Sequence, residues 1–235
     1  MPTSPTQPAV AASQPPAKAR FDMLLLSDSM FRHVAADNPN PPNYVRGLAL
    51  QQDIPIALTK SEPHKHFTVK KVIVPGARCP RLLAEASALA LNFEFDEVVV
   101  SCGTNYLQDS EAAEIITDTQ QLLWALKGLF KCQITFSPII PRVTQDEQKP
   151  ENRREPLSQF SYEMLDKTRC VNAEVIVFCD AKSFDLLFCP DFIMHKIDYP
   201  NKWLLAKDGC HLNRRGIVAM DNALFDHIYS NVLGF

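Results

Sequence analysis

Several things are scarce in this sequence, and each absence excludes something. No apolar run approaches the roughly 20 residues that a membrane-spanning helix needs. Net charge is only -3, so no global basic field argues for a nucleic-acid partner, although a local patch is left open. The opening stretch, MPTSPTQPAVAASQPPAKAR, has no apolar core and is not a secretory signal. Its Pro, Ser, Thr, Gln and Ala make residues 1–20 a disordered tail or a linker. None of the seven cysteines (Cys79, Cys102, Cys132, Cys170, Cys179, Cys189 and Cys210) belongs to a CxxC pair, which argues against zinc. Their odd number and apolar settings, with no signal peptide, indicate reduced thiols in an intracellular, cytoplasmic protein. Glycine is also scarce, at seven residues, so the positions it does occupy carry information.

What remains is ordinary for a globular chain: 46% hydrophobic and 22% charged residues. The spacing predicts one α/β domain over residues 21–235. Continuous apolar runs read as strands at 21–27 (FDMLLLS), 70–76 (KKVIVPG), 95–103 (FDEVVVSCG), 132–140 (CQITFSPII) and 174–180 (EVIVFCD). Helical segments alternate with them at 28–36, 79–91, 110–130, 157–171 and 213–233. Strands buried on both faces, separated by helices, imply a three-layer αβα sandwich with a five-stranded parallel sheet, flavodoxin-like in outline. Residues 37–68 and 181–207 have no readable period and are expected to shape the rim of any pocket.

In such a fold, ligands gather at the carboxyl ends of the strands. Three of these ends read Ser27-Asp28-Ser29, Pro75-Gly76-Ala77 and Gly103-Thr104-Asn105, and DGCHLNRRG (208–216) precedes the last helix. Acyl transfer needs a hydroxyl nucleophile, a base near neutral pKa, a carboxylate to orient it, and donors for an oxyanion. Ser29, His211 and Asp208 supply the first three types. The N–H groups of Ser29 and Gly76 and the amide of Asn105 supply the last. Each has a blander reading: Ser29 as a helix cap, His211 as a surface histidine, Asn105 as a turn residue. His64 and His66 share one side of a strand, but no third ligand lies near in sequence, so no metal site is expected. Lys149, Arg153, Arg154, Arg214 and Arg215 form either a solvated charged surface or a basic rim suited to phosphates.

Taken in order, these blocks resemble the SGNH hydrolases, also called GDSL-type esterases. Ser27-Asp28-Ser29-Met30 looks like the nucleophile block, Gly76 like the glycine block, Gly103-Thr104-Asn105 like the asparagine block, and Asp208-x-x-His211 like the final block. The resemblance implies Ser29 as nucleophile, His211 as general base and acid, Asp208 as its partner, and Gly76 and Asn105 as oxyanion donors. It implies no metal and no organic cofactor, and a small acyl ester as substrate. LLLSDSMFRHV with VIVPGAR, VVVSCGTNYL and DGCHLNRRG is most similar to the esterase domain in the first protein of certain LINE retrotransposons. More distantly it resembles the OSK domain of Oskar, which binds RNA and lacks the catalytic set. An alternative reading is therefore a module that binds RNA or protein in a ribonucleoprotein complex. Two residues depart from the family: Ser27 stands where the first block has glycine, and Tyr106 follows the asparagine, where it is placed to narrow or cap the pocket.

Overall fold

The computed structural model describes residues 20–34, 49–54, 66–152, 155–194 and 199–233. The first strand, β1 (Arg20–Ser27), sits in the middle of the sheet. It pairs in parallel with β3 (His66–Ile73) on one side and β4 (Glu97–Ser101) on the other. Next come β5 (Gln133–Phe136) and β6 (Asp185–Leu186), also parallel, which completes five parallel strands. A sixth strand, β2 (Ala49–Ile54), pairs antiparallel along the outer edge of β3. It lies inside the segment expected to be irregular. ALQQDI has little apolar signal, and an edge strand needs only one ladder of backbone hydrogen bonds to form.

Alternate residues of β1 feed two separate cores. Leu24 and Leu26 join Val98 and Val100 under α1 (Cys79–Ala90), α2 (Ala112–Leu129) and α3 (Gln159–Lys182). Met23 and Leu25 join Val99, Phe31, Met220 and Leu224 under α4 (Arg214–Leu233). Because both faces are covered, these strands are apolar throughout rather than alternating. Among the described residues, no helix is long and apolar enough to cross a membrane.

Two expectations need correction. Residues 174–180 are not the fifth strand; they continue α3, which runs unbroken for 24 residues. The β-branched run EVIVFCD suggests a strand. Its burial follows the helix period instead: Thr168, Val171, Val175 and Cys179 face inward, while Val177 is 64% exposed. The fifth parallel strand is β6, only two residues long. The predicted helix at 28–36 is also absent over its described part. Residues 30–34 form turns, with Arg32 N–H donating to Ser29 O and Val34 N–H to Phe31 O. The Asp28 carboxylate accepts the Met30 N–H at 2.9 Å and diverts the chain from the helical ladder. Residues 1–19 of the predicted tail lie outside the described residues, as do His64, Arg153 and Arg154, while Arg20 opens β1.

Candidate active site

The parallel strands run in the order β3-β1-β4-β5-β6. The order in which strands are added therefore reverses at β1, the place in such a sheet where ligands gather at the carboxyl ends. Ser29 lies there, two residues past β1 and 9% exposed. Backbone pairing holds the strand end on both sides. Val74 N–H donates to Ser27 O at 2.9 Å, and Asp28 N–H to Ser101 O at 3.4 Å. Ser27 is fully buried yet needs no glycine-like backbone: among the described non-glycine residues only Ser183 has a positive φ.

The segment before α4 delivers the imidazole. His211 Nδ1–H donates to Asp208 Oδ2 at 2.6 Å, and Ser29 Oγ–H donates to His211 Nε2 at 2.7 Å. A carboxylate can only accept, so Nδ1 carries the proton and Nε2 keeps a lone pair for the hydroxyl. Asp208 Oδ1 also accepts the N–H groups of Cys210 and His211, both at 3.0 Å. Partial burial pushes the Asp208 carboxyl up, but these three donors, the imidazole N–H foremost, prevail and hold it below the usual carboxylate range. Asp208 and His211 remain 49% and 41% exposed, so water reaches the pair directly.

The Asp208–His211 turn is locked to a neighbouring loop. Gly209 adopts φ +71°, and a Cβ there would come within 2.2 Å of Val143 O. Only glycine lets the two backbones meet, and Val143 N–H donates to Gly209 O at 2.9 Å. The Val143 loop is in turn fixed by Glu147, which accepts the Thr144 N–H and hydroxyl, the Ser158 N–H and the Ser161 hydroxyl. Burial raises the Glu147 carboxyl, but these donors outweigh it and hold the group low. From sequence, Glu147 looks like one charge in a solvated loop, and nothing in its neighbours marks it.

The expected oxyanion donors arrive from the flanking strands. Gly76 has φ +75°, in a turn closed by Ala77 N–H to Val74 O, and a Cβ there would meet nothing within 4 Å. Asn105 follows β4 on a short 3-10 turn (Thr104–Tyr106). Its Nδ2 donates to Ala77 O at 3.1 Å and Asp28 Oδ2 at 3.3 Å, which joins three strand ends through one amide. Tyr106 does not narrow the pocket. It is 1% exposed, with its hydroxyl donating to Asp118 and accepting the Cys79 N–H.

Other expected features lie apart. Lys149 pairs with Asp146 at 2.5 Å, and Arg214 and Arg215 are exposed at the start of α4. An apolar cavity of about 280 Å³, bounded by Ile139, Asn172, Ile176, Phe188 and Met220, takes no wall from Ser29, Gly76, Asn105, Asp208 or His211. Among the described residues, no group of three or more His, Cys, Asp or Glu could hold a metal ion. Two further polar residues border the site. Asp28 is fully buried between Met30 and Asn105, and Arg142, half-buried, donates to Thr104 O at 3.4 Å.

Comparison with known proteins gives the fold independent support. No family model matches the sequence, and no curated protein matches it. Solved structures do match. A GDSL-like lipase from Bacteroides thetaiotaomicron is 12% identical, with a TM-score of 0.59 over 89% of this chain and 88% of its own. A lipase/acylhydrolase from Enterococcus faecalis is 15% identical, with a TM-score of 0.57 over 90% and 96%. A carbohydrate acetylesterase from Sinorhizobium meliloti is also 15% identical, with a TM-score of 0.58 over 89% and 99%. At such identities the likeness speaks for architecture alone. The chain has the α/β fold of the GDSL-type hydrolases, with a five-stranded parallel core.

Proposed function

We propose that this chain is a serine esterase of the SGNH type, acting on a small acyl ester through an acyl-enzyme at Ser29. One observation carries the reading: Ser29 Oγ, His211 and Asp208 form a continuous hydrogen-bonded chain of 2.7 and 2.6 Å. Ser29 Oγ attacks the acyl carbon while His211 Nε2 takes its proton, and Asp208 stabilises the imidazolium so formed. The carbonyl oxygen becomes an oxyanion facing the N–H groups of Ser29 and Gly76 and the Asn105 amide. His211 returns the proton to the leaving alkoxide, which departs as the alcohol. Water then attacks the acyl-enzyme, again with His211 as base, and the acid is released with Ser29 restored.

Residues 21–235 act as one catalytic unit in this proposal, and the chemistry calls for no metal or organic cofactor. The acetylesterase among the structural neighbours makes acetyl esters the first substrates to try. The reading keeps the likeness of the four blocks to LINE esterase domains, which adds no substrate of its own. The test is hydrolysis of a short-chain p-nitrophenyl ester by the wild type beside Ser29→Ala. Turnover that the substitution abolishes supports the proposal; equal turnover by both proteins refutes it.

A further inference from the structure

Among the described residues, Asp28 is the one carboxylate with recorded hydrogen bonds to both the nucleophile turn and a proposed oxyanion donor. It is fully buried. Oδ1 accepts the Met30 N–H at 2.9 Å, which shapes the turn around Ser29. Oδ2 accepts from Asn105 Nδ2 at 3.3 Å. The second hydrogen of that amide goes to Ala77 O at 3.1 Å, beside Gly76. Both amide hydrogens are therefore engaged at rest, and an oxyanion can be served only if one bond is exchanged. A carboxylate is the stronger acceptor and a neutral carbonyl the weaker. The exchange therefore falls on Ala77 O, which lies beside Gly76, the neighbouring donor.

We propose that Asp28 is a positioning residue: it keeps hold of one Asn105 amide hydrogen so that the other can swing from Ala77 O to the oxyanion. This rests on the esterase reading for its catalytic consequence but not for its geometry. Burial raises the Asp28 carboxyl from 3.8 to about 6, against the Met30 and Ser29 N–H groups and the charge of His211. The other titratable groups that sense it are Cys102 at the end of β4 and Cys210 before α4, whose thiols burial and neighbouring groups push up and keep neutral. Protonating Asp28 removes the strong acceptor and loosens Asn105.

Two measurements test this. The first needs no activity: side-chain amide NMR of Asn105 across pH 4.5 to 8, in Ser29→Ala and in Ser29→Ala with Asp28→Asn. The Asn105 signals should titrate with a midpoint near 6 in the first protein and lose that component in the second. The same titration in both proteins would overturn the proposal. The second is a cycle of Asp28→Asn and Asn105→Ala on a p-nitrophenyl ester. Asp28→Asn should lower kcat about 10- to 100-fold with KM unchanged, and cost under about 2-fold once Asn105 is alanine. Independent, multiplying losses with a lowered melting temperature would mark Asp28 as merely structural. If the wild type neither hydrolyses esters nor labels at Ser29, the esterase proposal falls, and the NMR arm still decides this one.

Discussion

Two histidine–carboxylate pairs stand at opposite ends of α4. His211 meets Asp208 just before α4 begins, and His227 meets Glu97 near the far end of α4, where β4 begins. Both contacts are 2.6 Å. They differ in where the hydroxyl sits. Asp208 binds Nδ1 and leaves Nε2 to Ser29. Glu97 binds Nε2 of His227, and the nearby hydroxyl, Thr135 Oγ1, donates to the carboxylate at 2.5 Å rather than to the ring. Exposure differs too: 41% and 49% for His211 and Asp208, against 12% and 1% for His227 and Glu97. The first pair is open to substrate and water. The second is a clamp that fastens α4 to the start of β4. A histidine beside a carboxylate is therefore not a site; a hydroxyl on the second ring nitrogen and access to it make one.

The sharpest way to break this contrast is to remove the hydroxyl or the ring. Ser29→Ala and His211→Ala should each lower kcat about 10⁴-fold or more, measured on a p-nitrophenyl ester. His227→Gln should leave kcat within about 2-fold, because the two pairs share no partner. A smaller loss is expected for Asp208→Asn, about 10²- to 10⁴-fold, since its exposure makes the ring's orientation less dependent on it. The clamp should fail in the opposite sense. Glu97→Ala removes the buried acceptor shared by His227 and Thr135 and should cost about 3 kcal/mol. In a domain of this size that lowers Tm by roughly 6–12 °C in a thermal melt with activity retained below it.

The smallest effect is a pH dependence that divides the two aspartates of the site. Asp208 has a lowered folded pKa, so its contribution is present above its ordinary value of 3.8 and is lost as pH falls through the lower folded value. Asp28 runs the other way. Its rise from 3.8 to about 6 makes the ionised form a liability, fully felt above 6 and relieved as pH falls toward 4. The liability is on the order of 3 kcal/mol, net of the hydrogen bonds the carboxylate accepts. Melting curves of wild type and Asp28→Asn between pH 4 and 7.5 should therefore converge toward the acid end, with the variant at least as stable at pH 7.5. A variant that is less stable at pH 7.5 than at pH 4, relative to wild type, would contradict the sign.

Much of this was legible in the sequence because it lies where periodicity and chemistry coincide. The runs around Leu25, Val72, Val99 and Ile134 are buried on both faces and read as strands. The strand ends at Ser29, Gly76 and Asn105 then fall on one edge by topology. What was hidden has physical causes. Residues 174–180 carry strand-like side chains on a helix whose period decides their burial, and the strand that replaces them is too short to leave a pattern. The edge strand β2 is polar because only its backbone is recruited. Asp28 and Glu147 look like surface carboxylates until the fold closes over them. Their roles come from partners 77 and 14 residues away, which no local spacing encodes.

The central claim is that Ser29 is a nucleophile made reactive by His211. The most direct measurement is intact mass with peptide mapping after treatment with a fluorophosphonate. The account predicts one adduct, on Ser29, in the wild type and in His227→Gln, none in Ser29→Ala, and strongly slowed labelling in His211→Ala. Labelling of Ser29 at the same rate without His211, or an adduct that survives Ser29→Ala, would contradict it.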